Sequence, residues 1–227
     1  MTKPLVLALS SVRGQSGKDT LIEQLVQRGH TVHRVAFADV LKEQCSEALA
    51  TFYTDAATLL SFFHDSAYKD TQMGDLRISE LPDGEYKHWL MYKAERDSEN
   101  WVHAPRSPRW HLQKYGTEFS RVYKNDPDVW LNAGLEKIRQ APEGSLIVIS
   151  DLRIRNEYCK LIAELGATHR VRPTLLHRMW FVPGVDDQPY HVSDVSLLGF
   201  FMNHVVLNHW GTPEAMADQL IEQGAFL

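Results

Sequence analysis

The chain has 227 residues, 44% of them hydrophobic and 23% charged, ordinary globular values that argue against disorder and suit one α/β domain with a sizeable insertion. Its net charge of −5 supplies no electrostatic reason to hold duplex nucleic acid, although a local basic groove stays compatible with it. Two cysteines far apart, Cys45 and Cys159, exclude a disulfide framework or a zinc cluster. Both are read as small buried hydrophobes in a reducing cytosol. The eleven histidines are dispersed, with no helical pair at metal-ligand spacing. The start Met1-Thr2-Lys3-Pro4 has no basic leader region, and no apolar run is long enough to cross a bilayer, so a cytoplasmic protein is expected.

In chain order, the apolar run from Leu5 to Leu9 predicts a strand, and Asp19 to Arg28 an amphipathic helix with Leu21, Ile22 and Leu25 on one face. Thr31 to Ala38 reads as a second strand, and Asp39-Val40-Leu41-Lys42 opens another helix. From about Thr51 to Arg106 the pattern changes to aromatics, a polar stretch and a Pro82-Asp83-Gly84 turn, read as an inserted, mostly helical subdomain. Ser107-Pro108 is an N-cap with proline at the first helical position. Asp126-Pro127 starts the next helix, to about Arg139, and Leu146 to Ile149 is a short buried strand. A helix from Asn156 to Leu165, a strand from Thr168 to Arg172, a polar segment to Asp194, a strand from Val205 to Leu207 and a helix from Pro213 follow. Strands alternating with helices predict a mostly parallel sheet covered by helices on both faces.

The loop between the first strand and helix, Ser10 to Thr20, has the layout of a phosphate-binding P-loop. Small residues let successive backbone N–H groups face one concavity, the helix N-terminus adds partial positive charge, and Lys18 would reach the outer phosphates of a nucleoside triphosphate. The usual G-x-x-x-x-G-K-[ST] pattern is not met in full: Val12 stands at the first glycine position and Asp19 follows Lys18, with Thr20 one later. The plainer reading is an ordinary strand-to-helix turn with a solvated lysine.

Ligands of such sheets bind at the carboxyl ends of the strands, where three more polar clusters fall. Asp39 with Lys42 follows the second strand; it is either part of a site or a helix cap with a solvated lysine. Asp151 ends the buried strand, where it would hold Mg²⁺ or cap a helix, with Arg153 and Arg155 facing phosphates. Gln113, Thr117 and Arg121 recur at helical spacing and present one polar face, for an acceptor or merely for solvent. The Trp and Tyr residues between Trp89 and Trp130 are read as core in preference to base-stacking groups.

Five segments in order resemble the tailed-phage deoxynucleoside monophosphate kinases, a branch of the P-loop nucleoside monophosphate kinases. They are Ser16-Gly17-Lys18-Asp19-Thr20; Phe37 to Lys42; Leu112 to Arg121; Ile149 to Arg153 with Asn156-Glu157 and then Val171-Arg172-Pro173; and His191 to Asp194 with Asn208 to Gly211. The resemblance implies a P-loop kinase fold whose core spans 1–50 and 107–227, with a lid at about 173–194 and an inserted acceptor-binding subdomain at 51–106. It implies transfer of the γ-phosphoryl group of ATP to a deoxynucleoside 5′-monophosphate with Mg²⁺, in a homodimer of the host bacterial cytoplasm, without a stable nucleic-acid complex or a membrane.

By the same resemblance Gly14, Ser16, Gly17, Lys18, Asp19, Thr20, Arg172 and Asn208 would hold ATP, Asn208 from the adenine-contacting loop. Asp39, Lys42, Gln113, Thr117, Arg121 and Glu157 would hold the acceptor, and Lys18, Asp151, Arg153 and Arg121 would act in the transfer. Asp19 and Asp151 would serve the metal. Asp194 stands where Glu is commoner in the family, and Ile154 where Phe is. Two other functions stay open, a kinase for a modified base in DNA and an inactive nucleotide-binding homologue.

Overall fold

Successive residues of a strand point to opposite faces, so five apolar residues in a row, Leu5 to Leu9, require cover on both sides. All five are buried. A computed structural model describes residues 3–96, 102–187, 189, 190 and 192–227; His191 of the resemblance lies outside them. The chain divides into two compact units, one of Met1–Phe37 with Gly134–Leu227, the other Ala38–Ala133. The second is wider than the 51–106 stretch at which the sequence pattern changes.

The first unit is built on five strands, β1 (Leu5–Ser11), β2 (Val32–Val35), β3 (Leu146–Ile149), β4 (Arg170–Arg178) and β5 (His204–Asn208). Their order is β2-β3-β1-β4-β5 and every pairing is parallel. The protein is therefore an α/β fold with a parallel sheet flanked by helices, compatible with a P-loop kinase-like architecture. In register, Ala8 of central β1 stands opposite Ile149 on one side and Pro173 on the other. The core joins Leu7 and Leu9 to Leu21, Ile22 and Leu25 of the helix Lys18–Gln27 and to Met216, Ala217 and Leu220 of the helix Ala215–Glu222. Burying each of the leucines contributes about 1.5–3 kcal/mol.

Three expectations about this unit need correction. The strand expected from Thr31 to Ala38 ends at Val35, and Phe37 already begins a helix. The strand expected to stop at Arg172 runs on through Pro173 to Arg178. Proline cannot donate to a ladder, but β5 pairs with β4 only from Thr174 onward, so the missing N–H breaks no strand pairing on that side. Cys45 is buried as expected, whereas Cys159 is exposed. In the helix Arg155–Leu165 the inward positions are Glu157, Leu161 and Leu165, and residue 159 falls off that stripe.

Strand β5 ends the sheet, and an open edge invites pairing with other chains. Here two glutamines cover it. Gln219 Nε2 donates to the Leu207 carbonyl and its Oε1 accepts the Leu207 N–H, both at 2.8 Å. Gln223 does the same for Val205 at 2.9 and 3.3 Å.

The second unit is mainly helical. Its helices include Phe37–Leu49 (whose first residue, Phe37, still belongs to the first unit), Ala56–His64, Glu85–Arg96 and Pro108–Gln113. Asp55 caps one by accepting the Thr58 N–H at 2.7 Å, and Ser107 caps another by accepting that of Trp110 at 3.2 Å. Trp89 is buried together with Tyr86, Phe63, Phe119, Leu59 and Ile78, and Trp130 is also buried, so these two are core as expected, whereas Tyr92 and Tyr123 are exposed and Trp101 lies outside the described residues. The polar-faced helix after Gln113 is wound as a π-helix, Lys114–Tyr123, where an α-helix is expected. The Lys124 N–H reaches back five residues to the Phe119 carbonyl at 2.9 Å. Such winding is usually limited to a single turn and recurs at functional sites. Gly116 lets Leu41 pack closely against it, since a Cβ there would lie 2.8 Å from Leu41 Cδ2 and make that side chain shift.

His111 lies wholly inside this unit, its Nε2 2.9 Å from the Leu76 carbonyl and its Nδ1 3.1 Å from the Tyr86 hydroxyl. The carbonyl requires an Nε2–H donor, so Nδ1 accepts from Tyr86 and the ring is neutral. Burial pushes its pKa down from 6.5 to about 4, against the Leu76 bond and with help from the Arg106 charge. Unfolded, the ring takes a proton below about pH 6.5; folded, it resists to about pH 4. The unfolded state thus binds more protons in that window, and stability is expected to fall by about 3 kcal/mol as the pH drops through it. Urea midpoints at pH 7 and 4.5 should show the loss in the wild type and a smaller one in His111→Gln.

Candidate functional site

The loop from Val12 to Gly17 leaves the carboxyl end of β1, the central strand, next to which the chain later crosses from β3 to β4. Such points of reversed strand order are where open α/β sheets leave a crevice. Gly17 has φ 92° and ψ 23°, a left-handed conformation that glycine adopts freely. It turns the chain into the helix Lys18–Gln27. Close approach adds a second requirement, since a Cβ on Gly17 would lie 2.3 Å from Asn208 Nδ2. Gly14 has neither constraint, its nearest neighbour being Val185 at 3.9 Å.

Lys18 bends back over the loop. Its Nζ donates to Ser11 Oγ at 2.6 Å and to Ser16 Oγ at 3.5 Å. Burial lowers its pKa from 10.5 to about 8, the Arg153 charge adds to this, and Asp19 and Asp151 oppose it. A desolvated ammonium stacked on two hydroxyls is a cation short of compensation, and a polyanion would supply it.

The other predicted residues of this unit divide. Asp151 follows β3 and its Oδ1 accepts the Phe37 N–H at 2.9 Å, so it ties down the start of the next helix while its charge acts on Lys18. Arg153 is exposed and also acts on Lys18. Thr20 and Gly17 line a cavity of about 390 Å³ with Asn208, Trp180 and Trp210. The two tryptophan rings meet edge to face at 5.4 Å. Asn208 is buried and donates from Nδ2 to the Ser16 carbonyl at 3.0 Å, holding the loop from below.

Three residues are not brought into the cluster. The Asp19 side chain is 81% exposed and lies 3.8 Å from Arg34, and it reaches Lys18 only through its charge. Glu157 is buried and accepts the N–H groups of Arg153 and Ile154 at 2.9 and 3.2 Å, so it closes the helix start. Arg172 stands opposite Leu7 in mid-strand, because β4 continues past it. The arginine at the strand's end is Arg178, which the sequence reading passed over along with Arg13, Trp180 and Trp210. The apolar Leu175-Leu176 after Pro173 is the signal that the strand goes on.

In the second unit Asp39 and Lys42 form an ion pair at 3.0 Å within one helix. Asp39 is the third residue of the helix Phe37–Leu49, hence not its cap. Gln113 and Thr117 are exposed. The Arg121 guanidinium makes no hydrogen bond or ion pair among the described residues, and its Nε is buried. A partly buried cation left so is costly unless a ligand satisfies it.

No protein-family model and no curated protein matches the chain. Among solved structures, TT1252 from Thermus thermophilus aligns over 97% of this chain and 96% of that one, with 13% identity and a TM-score of 0.39. Among the described residues no helix is long and apolar enough to cross a membrane.

Proposed function

We propose that this protein transfers the γ-phosphoryl group of ATP to a deoxynucleoside 5′-monophosphate. The observation that carries the reading is Lys18, held at the left-handed Gly17 turn with its desolvated ammonium folded over the loop. Phosphoryl transfer asks a protein chiefly for positioning and charge neutralisation. The cavity beside Trp180 and Trp210 suits the base of the donor, which an indole ring can stack. The resemblance assigns Mg²⁺ to the reaction. Among the described residues no three His, Cys, Asp or Glu side chains converge, and Mg²⁺ commonly takes one or two carboxylates and otherwise phosphates and water. On this reading Asp151 and Asp19, whose charges both act on Lys18, would hold it, Asp19 from a largely exposed position. Mg²⁺ would neutralise phosphate charge there.

Arg121 is the acceptor-phosphate residue on this reading. A guanidinium binds a phosphate bidentately, which lysine cannot reproduce. Arg121→Lys should therefore raise KM for the monophosphate and lower kcat with ATP affinity little changed, and Arg121→Ala should cost at least about tenfold in kcat/KM. Weakened ATP binding alone would move Arg121 to the donor side.

The deciding experiment measures ADP release from ATP and Mg²⁺ with a panel of dNMPs, NMPs, modified dNMPs and single-stranded DNA. Turnover with free dNMPs is expected. Turnover with DNA alone would assign a modified base in DNA, and none at all an inactive nucleotide-binding protein.

A further inference from the structure

Just past β4 one acid lies between two cations. Arg178, with only 4% of its side chain exposed, donates from Nη2 to Asp186 Oδ1 at 2.6 Å and from Nη1 to the Trp180 carbonyl at 3.2 Å. Its Nε is buried without a partner. Arg13, from the loop after β1, approaches the same Oδ1 with Nε at 3.7 Å and donates from Nη2 to the Asp186 carbonyl at 3.4 Å. Its guanidinium carbon lies 3.6 Å from the centre of the Tyr190 ring. The second carboxylate oxygen of Asp186 is taken by the Val182 N–H at 2.7 Å. One charged oxygen thus serves two guanidinium groups, and a third donor has nothing.

That arrangement leaves the trio with one net positive charge. A terminal phosphate carries more charge than a carboxylate and offers three acceptor oxygens, enough for two planar forks. The cavity that Arg13, Arg178 and Asp186 line is about 360 Å³ and reaches Ser16 of the loop. We infer that Arg13 and Arg178 form an anion site for the end of a polyphosphate chain, and that the Asp186 carboxylate fills it as an internal stand-in until the ligand displaces it. The ligand identity rests on the P-loop reading. On exchange both arginines turn to the phosphate, and segment 179–187 loses its hold on the loop. While Asp186 is seated the site is closed, so the apparent affinity is lowered by the fraction of molecules in the open state.

Inorganic tripolyphosphate is the probe, bound to the full chain in a calorimeter. Asp186→Asn keeps an acceptor for the Val182 N–H and loses the charge, so it should bind the probe about tenfold more tightly. Arg13→Gln should bind it about tenfold more weakly and should cancel the gain when combined with Asp186→Asn. In the wild type, which needs no variant to fold, the probe should speed proteolytic cleavage within 179–187. Unchanged or weaker binding by Asp186→Asn, or protection of the segment by the probe, overturns the exchange. The loop reading is tested separately by Lys18→Ala: equal tripolyphosphate binding by that variant and the wild type removes the P-loop while leaving the Asp186 result to stand by itself.

Discussion

Lys18→Ala is expected to lower phosphoryl transfer by about 10²-fold or more, the scale of losing one positioned charge from a transition state. The same change should leave the fold intact, and the physical reason is on the side chain itself. Burial disfavours the charged form of Lys18, and its contacts are the hydroxyls of Ser11 at the end of β1 and of Ser16 in the loop. Removing an ammonium that the folded state holds at a cost should leave the thermal midpoint level or raise it. Rate and stability therefore move independently, and both are read on one preparation by ADP release and by thermal unfolding. A folded variant with an undiminished rate would show that the loop does not bind the phosphates that react.

Gly17→Ala should be the most destabilising small change in the loop. Alanine at φ 92° costs about 1–2 kcal/mol against glycine. Its Cβ would meet Asn208 Nδ2 at 2.3 Å and Cγ at 3.3 Å, and Asn208 is buried. Pushed aside, Asn208 gives up the Ser16 carbonyl, an unpaired buried acceptor worth roughly another 1–3 kcal/mol. The urea midpoint should fall accordingly. Coupling gives the finer check: Asn208→Ala removes both the bond and the obstacle, so the double variant should be less destabilised than the sum of the singles. Strict additivity would mean that the backbone conformation alone, without the clash, sets the cost.

Much of the first unit is legible from residue order. Leu5 to Leu9 and Leu146 to Ile149 are apolar without a break, which only a strand covered on both faces tolerates, and both are such strands. Leu21, Ile22 and Leu25 repeat at helical spacing and are buried together. Ser107-Pro108 reads as a cap and is one. The strand, loop, Gly-Lys and helix are equally visible, as each depends on residues adjacent in the chain.

What local patterns could not settle depends on neighbours distant in sequence. Pro173 looks like a strand end, and only the late start of β5 shows that it is not. That shift moves the terminal arginine from Arg172 to Arg178. The spacing of Gln113, Thr117 and Arg121 announces a helix, but its π winding accompanies the close approach of Leu41 to Gly116. Glu157 and Asp19 look alike as acids near a strand end, yet one is buried on two backbone N–H groups and the other faces water. The sequence by itself determined the alternation of strands and helices and the glycine turn between β1 and its helix, because burial periodicity and backbone freedom are local properties. Only the tertiary structure decided which charged side chains face that loop, because their direction depends on the register of β4 against β1 and on which backbone groups are left to be capped.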